Sequence, residues 1–184
     1  MYRNIINLIM FQIGWFACVL TAANELAWWG IMTVAVLASL HVFYTANRRH
    51  EVLLLMCAGL LGFIWESSLA SISVISYPGQ ASHLVAPVWM VALWINFAMT
   101  LNFSLAWFKQ HLILTSLAGF VFAPLAYYAG ERLGAMTFHN DWIALSIIGI
   151  GWSILFPFLS WLAHCMTEKD KAVQRGMAGT GRHV

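Results

Sequence analysis

The stretch VLLLMCAGLLGFIWESSLASISV, residues 52–74, decides the fold, because it is predominantly apolar and carries a single charged residue, Glu66. A helix crossing the roughly 30 Å hydrocarbon layer needs about 20 such residues, and this run supplies them. Five more runs of comparable length lie on either side, at 4–21, 27–46, 86–108, 112–130 and 142–164. The chain has 184 residues, 61% of them hydrophobic and 9% charged, with ten Trp. A soluble domain of that size needs a more polar surface. The sequence therefore predicts an all-α polytopic membrane protein, a six-transmembrane-helix bundle.

Short connections support one compact unit, 1–166, followed by a short polar tail, 167–184, whose Gly-rich end is expected to be partly disordered. AANEL separates the first two runs, which predicts a tight helical hairpin, while Pro78 and Gly79 break the chain between the third and fourth. The first run could be read as a secretory leader; it is taken here as the first span. Cationic residues stay on the cytoplasmic side of a membrane. With the N-terminus inside, Arg3, Arg48, Arg49, Lys109, Lys169, Lys171, Arg175 and Arg182 fall there, and Arg132 alone falls outside. Both termini are expected in the cytoplasm. The net charge of +2 suits an anionic inner leaflet and gives no reason to expect nucleic acid.

Glu66 is fourteen residues into its run, about 21 Å from the cytoplasmic edge. Its helical neighbours Gly59, Gly62, Ala70 and Ser73 form a stripe of small residues that lets another helix approach, so the carboxyl should face protein or a polar cavity. An ionised group at such depth needs a partner. Arg132, Tyr127 and Tyr128 at the outer end of the fifth run are the candidates, and with Glu66 they make an expected outward-facing pocket rimmed by Trp28, Trp29, Trp65 and Trp89. The competing reading is a helix-packing carboxyl, protonated or bonded to Ser67 and Ser68.

The fourth run carries Asn96, Thr100 and Ser104 at four-residue spacing, one polar stripe, with Asn102 on another face. Such groups commonly tie helices together through hydrogen bonds. Asn4, Asn7 and Gln12 in the first run are expected to add polar contacts. His41 and His164 differ in depth by roughly two helical turns, which argues against bis-His haem. Cys18, Cys57 and Cys165 have no metal-type spacing and predict no disulfide. No metal and no cofactor are expected, and the sequence has no HExxH, GxSxG or Walker pattern.

WESSL in the third run, APVWMVALWINFAMTLNFSLAWF in the fourth and PLAYYAGERLGA in the fifth together resemble a family of small bacterial inner-membrane proteins known only as a domain of unknown function. The resemblance covers nearly the whole chain. Its family-like positions are Glu66, Ser67, Trp94, Asn96, Thr100, Leu101, Asn102, Ser104, Pro124, Tyr127, Gly130 and Arg132. The family's genes often neighbour cyclopropane-fatty-acid-synthase-like genes in clusters linked to oxidative or light stress. What that implies is an inner-membrane location and a role near membrane-lipid modification, with membrane lipids as partners. Phe103 departs from the family pattern, which often has His there, so the resemblance implies no histidine ligand or base at that point in this chain. Three functions stay open: a lipid-associated protein that binds, presents or modifies lipid, with Arg132 on a head-group phosphate and Glu66 as acid or base; a small proton-coupled transporter or permease; and an assembly subunit that docks another membrane protein or a second copy.

Overall fold

A computed structural model describes residues 2–79 and 84–180, with side chains through 168. Six α-helices follow one another: α1 (Tyr2–Ala23), α2 (Ala27–Tyr44), α3 (Arg48–Ser71), α4 (Val88–Ala98), α5 (Leu112–Arg132) and α6 (Asp141–Thr180). All except α4 are long and apolar enough to cross a membrane. At the end of the bundle where α3 and α5 finish, two short strands, β1 (Ile75–Ser76) and β2 (Thr137–Phe138), pair antiparallel and tie the connection after α3 to the connection after α5.

The pairwise packing is organised around α4, which lies against α1, α2 and α3, while α6 carries α5 along its length and touches α3. Small residues set the closest approaches. A Cβ at Gly30 would meet the α1 backbone at Cys18, a Cβ at Gly62 would overlap the Trp94 ring, and a Cβ at Gly119 would run into the Trp152 carbonyl. The α1–α2 hairpin turns through Glu25 at φ 60, a left-handed position that costs a non-glycine residue about 1–2 kcal/mol and is held here by Leu26 N donating to Thr21 O at 2.8 Å.

The fourth apolar run differs from expectation. Instead of one helix over 86–108, α4 stops at Ala98, the chain turns through 99–105, and a 3₁₀ helix (Ala106–Gln110) completes the crossing. The residues read as a polar stripe explain the break, because hydroxyl and amide side chains compete for backbone groups and end helices. Thr100 Oγ1 donates to Phe97 O at 2.6 Å, while Asn7 on α1 donates to Met99 O at 3.0 Å and accepts from Ser104 through both its N–H and its hydroxyl. Irregular backbone at membrane depth survives only where protein satisfies it or a cavity adjoins it. Asn7 does the satisfying.

Two boundaries also shift. Helix α3 begins at Arg48, capped by Asn47, so Glu51 enters the bundle and is only 3% exposed. Helix α6 continues past 166 to Thr180, through most of the segment read as a tail; 181–184 lie outside the described residues.

Candidate functional site

About four turns of α3 place Glu51, Leu54, Leu55, Ala58, Gly59, Gly62 and Glu66 on one buried face, acids at both ends and small residues between. That face receives α4, with Trp94 over Gly62 and Ile95 over Gly59. The small-residue stripe offered by the sequence for docking a partner is thus filled from within the chain.

Glu66 has no exposed surface. Tyr77 donates to its Oε2 at 2.8 Å, Trp94 Nε1 donates to Oε1 at 2.9 Å, and the Tyr127 hydroxyl donates to Oε1 as well. Trp152 Nε1 in turn donates to the Tyr127 hydroxyl at 3.4 Å, and its ring lies 4.6 Å from that of Trp94. Tyr77 comes from the connection after α3, just past β1. Burial, reinforced by the Glu66 carboxyl, keeps its hydroxyl protonated well above the ordinary tyrosine range, so it remains a donor. Three neutral donors therefore occupy three of the carboxyl group's roughly four acceptor positions. A carboxyl so sealed is arranged to fix Tyr77, Trp94 and Tyr127 in place.

Of the four residues expected in one outward-facing pocket, the structure brings Glu66 and Tyr127 together and leaves two apart. Arg132 is exposed and donates through Nε and a terminal nitrogen to the Tyr128 hydroxyl, at 2.8 and 2.6 Å. The reason is helical phase: Tyr127 and Tyr128 are about 100° apart around α5, so one turns inward and the other meets Arg132 one turn on. Trp28 and Trp29 point outward, 71% and 65% exposed, and rim nothing. Trp65 covers Gly151, and Trp89 packs edge-on against Tyr77 at 5.8 Å. Ser67 and Ser68, the partners of the competing reading, are engaged elsewhere: Ser67 Oγ accepts from Ala86 N, and Ser68 Oγ donates to Ile64 O.

The fourth-run residues serve the other half of the bundle. Asn96, fully buried, donates to Phe11 O at 2.9 Å across to α1. Asn102 joins a second polar centre at the end of the bundle holding the start of α3. Its Nδ2 donates to Glu51 Oε2 at 2.8 Å, its Oδ1 accepts from Lys109 at 2.9 Å and from Thr167 at 3.4 Å, and Glu51 Oε1 pairs with His41 Nε2 at 2.7 Å. Phe103 lies edge-on to the His41 ring at 5.0 Å. The sequence reading did not single out Glu51, Tyr77 or Trp152. Glu51 sits one residue outside the apolar run, and its spacing of fifteen from Glu66, close to four whole turns, was the available signal. Among the described residues no group of three or more His, Cys, Asp and Glu side chains could hold a metal ion.

The outer surfaces of Trp94, Tyr127 and Trp152 line an apolar cavity of about 440 Å³. Helix α1 supplies one wall through Leu8, Phe11, Trp15 and Val19; α5 supplies the other through Ala118, Phe122, Ala123 and Ala126. Helices α4 and α6 form the floor with Phe97 and Phe156. Because α1 packs on α2 and α4 while α5 packs on α6, the cavity is a lateral groove between two spans. Among the described residues Tyr127 is the only titratable one lining it, and its hydroxyl is already committed to Glu66.

These features define a small polytopic α-helical membrane protein with a hydrogen-bonded polar core and an apolar groove in its side. Residues 4–158 match the family described as "Protein of unknown function (DUF2878)", and the chain belongs to that family. No curated protein and no solved structure matches it.

Proposed function

We propose that the protein is lipid-associated and holds the acyl chain of a membrane lipid in the groove between α1 and α5, in a bacterial inner membrane with both termini cytoplasmic. The groove is the observation that carries this reading. From Leu8 to Val19 its α1 wall rises by eleven residue steps, about 16 Å, close to one leaflet of a roughly 30 Å hydrocarbon layer. Alanines on α5 create the room, and aromatic rings on α1, α4, α5 and α6 offer rigid apolar walls. Among the described residues that line the groove there is no acid, Cys, Ser or His, and the one hydroxyl, on Tyr127, is bonded to Glu66, which supports binding or presentation of lipid over a covalent step. Glu66 acts here as a buttress behind Trp94 and Tyr127; its three neutral donors and full burial weigh against proton-coupled transport.

Native mass spectrometry of the protein purified in mild detergent tests this. Wild type should retain a defined lipid, and Ala126→Phe, which fills the groove, should lose it while unfolding at an unchanged temperature. Equal lipid retention by a folded Ala126→Phe variant refutes the reading.

A further inference from the structure

At the end of the bundle where the chain begins, a second cavity of about 520 Å³ is lined by Tyr2, Arg3, Asn4, Asn102 and Phe103. Among the described residues its lining contains a cation, two amides and a phenol and no carboxylate; Glu51 stands behind Asn102, paired with His41. The Arg3 guanidinium lies 5.3 Å from the centre of the Phe103 ring, and among the described residues nothing accepts a hydrogen bond from it. Asn102 is held from behind by Glu51, Lys109 and Thr167, and its backbone N–H has no acceptor among the described residues.

This polar cavity lies in line with the apolar groove. Asn4, Leu8, Phe11, Trp15 and Val19 follow one another at spacings of four, three, four and four, a single stripe on α1 whose first member lines the polar cavity and whose others line the groove. On the facing wall, Asn102 and Phe103 belong to the polar cavity while Leu105 and Phe108, immediately after, belong to the groove. An apolar groove about a leaflet long therefore points toward a cationic, hydrogen-bonding recess.

We propose that this recess holds the anionic head group of the same lipid, with the Arg3 guanidinium as its charged contact, so that the lipid sits with its head at the α1 start and its chain running toward Tyr127. The proposal rests on the lipid reading above and adds the head-group class and the orientation. Arg suits the task because its planar donors engage phosphate oxygens in pairs.

The full chain in detergent, titrated with phosphatidylglycerol or phosphatidylcholine and read by native mass spectrometry, separates the two claims. Wild type should bind phosphatidylglycerol about fivefold better than phosphatidylcholine, the effect of one arginine at an anionic interface. Arg3→Gln should keep lipid binding and lose the preference, Arg3→Lys should keep part of it, and Arg49→Gln, which removes an exposed cation at the start of α3, should leave it intact. Binding that depends on the groove but shows no head-group preference, or a preference that survives Arg3→Gln, overturns the head-group assignment and spares the groove. Loss of all defined lipid binding in wild type refutes both. Inorganic phosphate at millimolar concentration should not displace phosphatidylglycerol; if it does so as effectively as competing lipid, the recess is a soluble-anion site and the assignment fails.

Discussion

Replacing Glu66 by Ala removes one acceptor group and strands three donors at once: the Tyr77 and Tyr127 hydroxyls and the Trp94 indole N–H. Side-chain hydrogen bonds between membrane helices are worth about 0.6 kcal/mol on average and up to about 1.7, so the three together predict a loss of roughly 2–5 kcal/mol. Glu66→Gln is a sharper test. Glutamine keeps the shape and one acceptor oxygen, which can take the Trp94 and Tyr127 bonds now shared by Oε1. Its amide nitrogen meets Tyr77 as a donor, and a tyrosine hydroxyl can accept. The indole cannot reverse its role in this way, which fixes the orientation of the amide. Glu66→Gln should therefore lose no more than about 1.5 kcal/mol, one reoriented bond. Thermal unfolding in a fixed detergent, followed by tryptophan fluorescence, measures both variants. Tyr77→Phe added to Glu66→Ala should restore part of the loss, because it removes a stranded donor. If Gln is as damaging as Ala, the charge rather than the acceptor geometry holds the cluster, and the buttress account is wrong. If Ala unfolds at the wild-type temperature, the cluster contributes no stability and Glu66 needs another explanation.

Gly62→Val should destabilise by about 1–3 kcal/mol through overpacking against Trp94 and should shift the fluorescence of the cluster, whereas the same change at exposed Gly79 or Gly134 should act only through the turn, where φ is positive. Glu51→Ala leaves buried His41 and Asn102 without their shared acceptor and should cost about 3 kcal/mol or more, while Glu51→Gln should retain most of it; unfolding temperature reads both. Asn7→Leu should free the Met99 carbonyl and the Ser104 amide, seen as faster hydrogen exchange across 99–105 with little change in α5 or α6. In cells lacking the protein, the membrane-lipid profile should be restored by wild type and by Glu66→Gln but not by Ala126→Phe; restoration by all three would separate the groove from the lipid role.

Spans were legible wherever apolar length alone decides, as in α3 and α5, because lipid leaves the backbone no alternative to helix. The fourth run was misjudged for a related reason. Its hydropathy is that of a span, but Thr100 and Ser104, together with Asn7 ninety-two residues before Met99, offer the backbone other partners, and no window along the sequence sees that last contact. Within the site, the small-residue stripe around Glu66 correctly implied a close neighbour helix, and Trp94 is that neighbour. Of the expected partners Tyr127 meets the carboxyl and Arg132 does not, because aromatic donors on three separate segments take the acceptor positions that charge balance would give to Arg132. Tyr77, in a loop beyond the run, could be placed there only by folding.

The polar ties of this bundle are distributed unevenly, and their distribution locates the groove. Glu66 links α3 to α4, to α5 and to the connection beyond β1. Glu51 and Asn102 link α2 and α3 to α6 through the segment after α4, and Asn7 and Asn96 join α1 to α4 and its continuation. Ser116 donates to Ser153 O across α5 and α6, and α1 and α2 are held by a short connection and the close approach at Gly30. Among the described residues, no side-chain hydrogen bond crosses from α1 to α5. Without a hydrophobic drive between helices in lipid, a seam lacking both small-residue packing and hydrogen bonds has little to keep it shut. It lies where the aromatic floor is exposed, between the donor cluster at one end and Arg3 at the other. With the polar contacts placed elsewhere, the proposed acyl chain would enter this seam without breaking any of them.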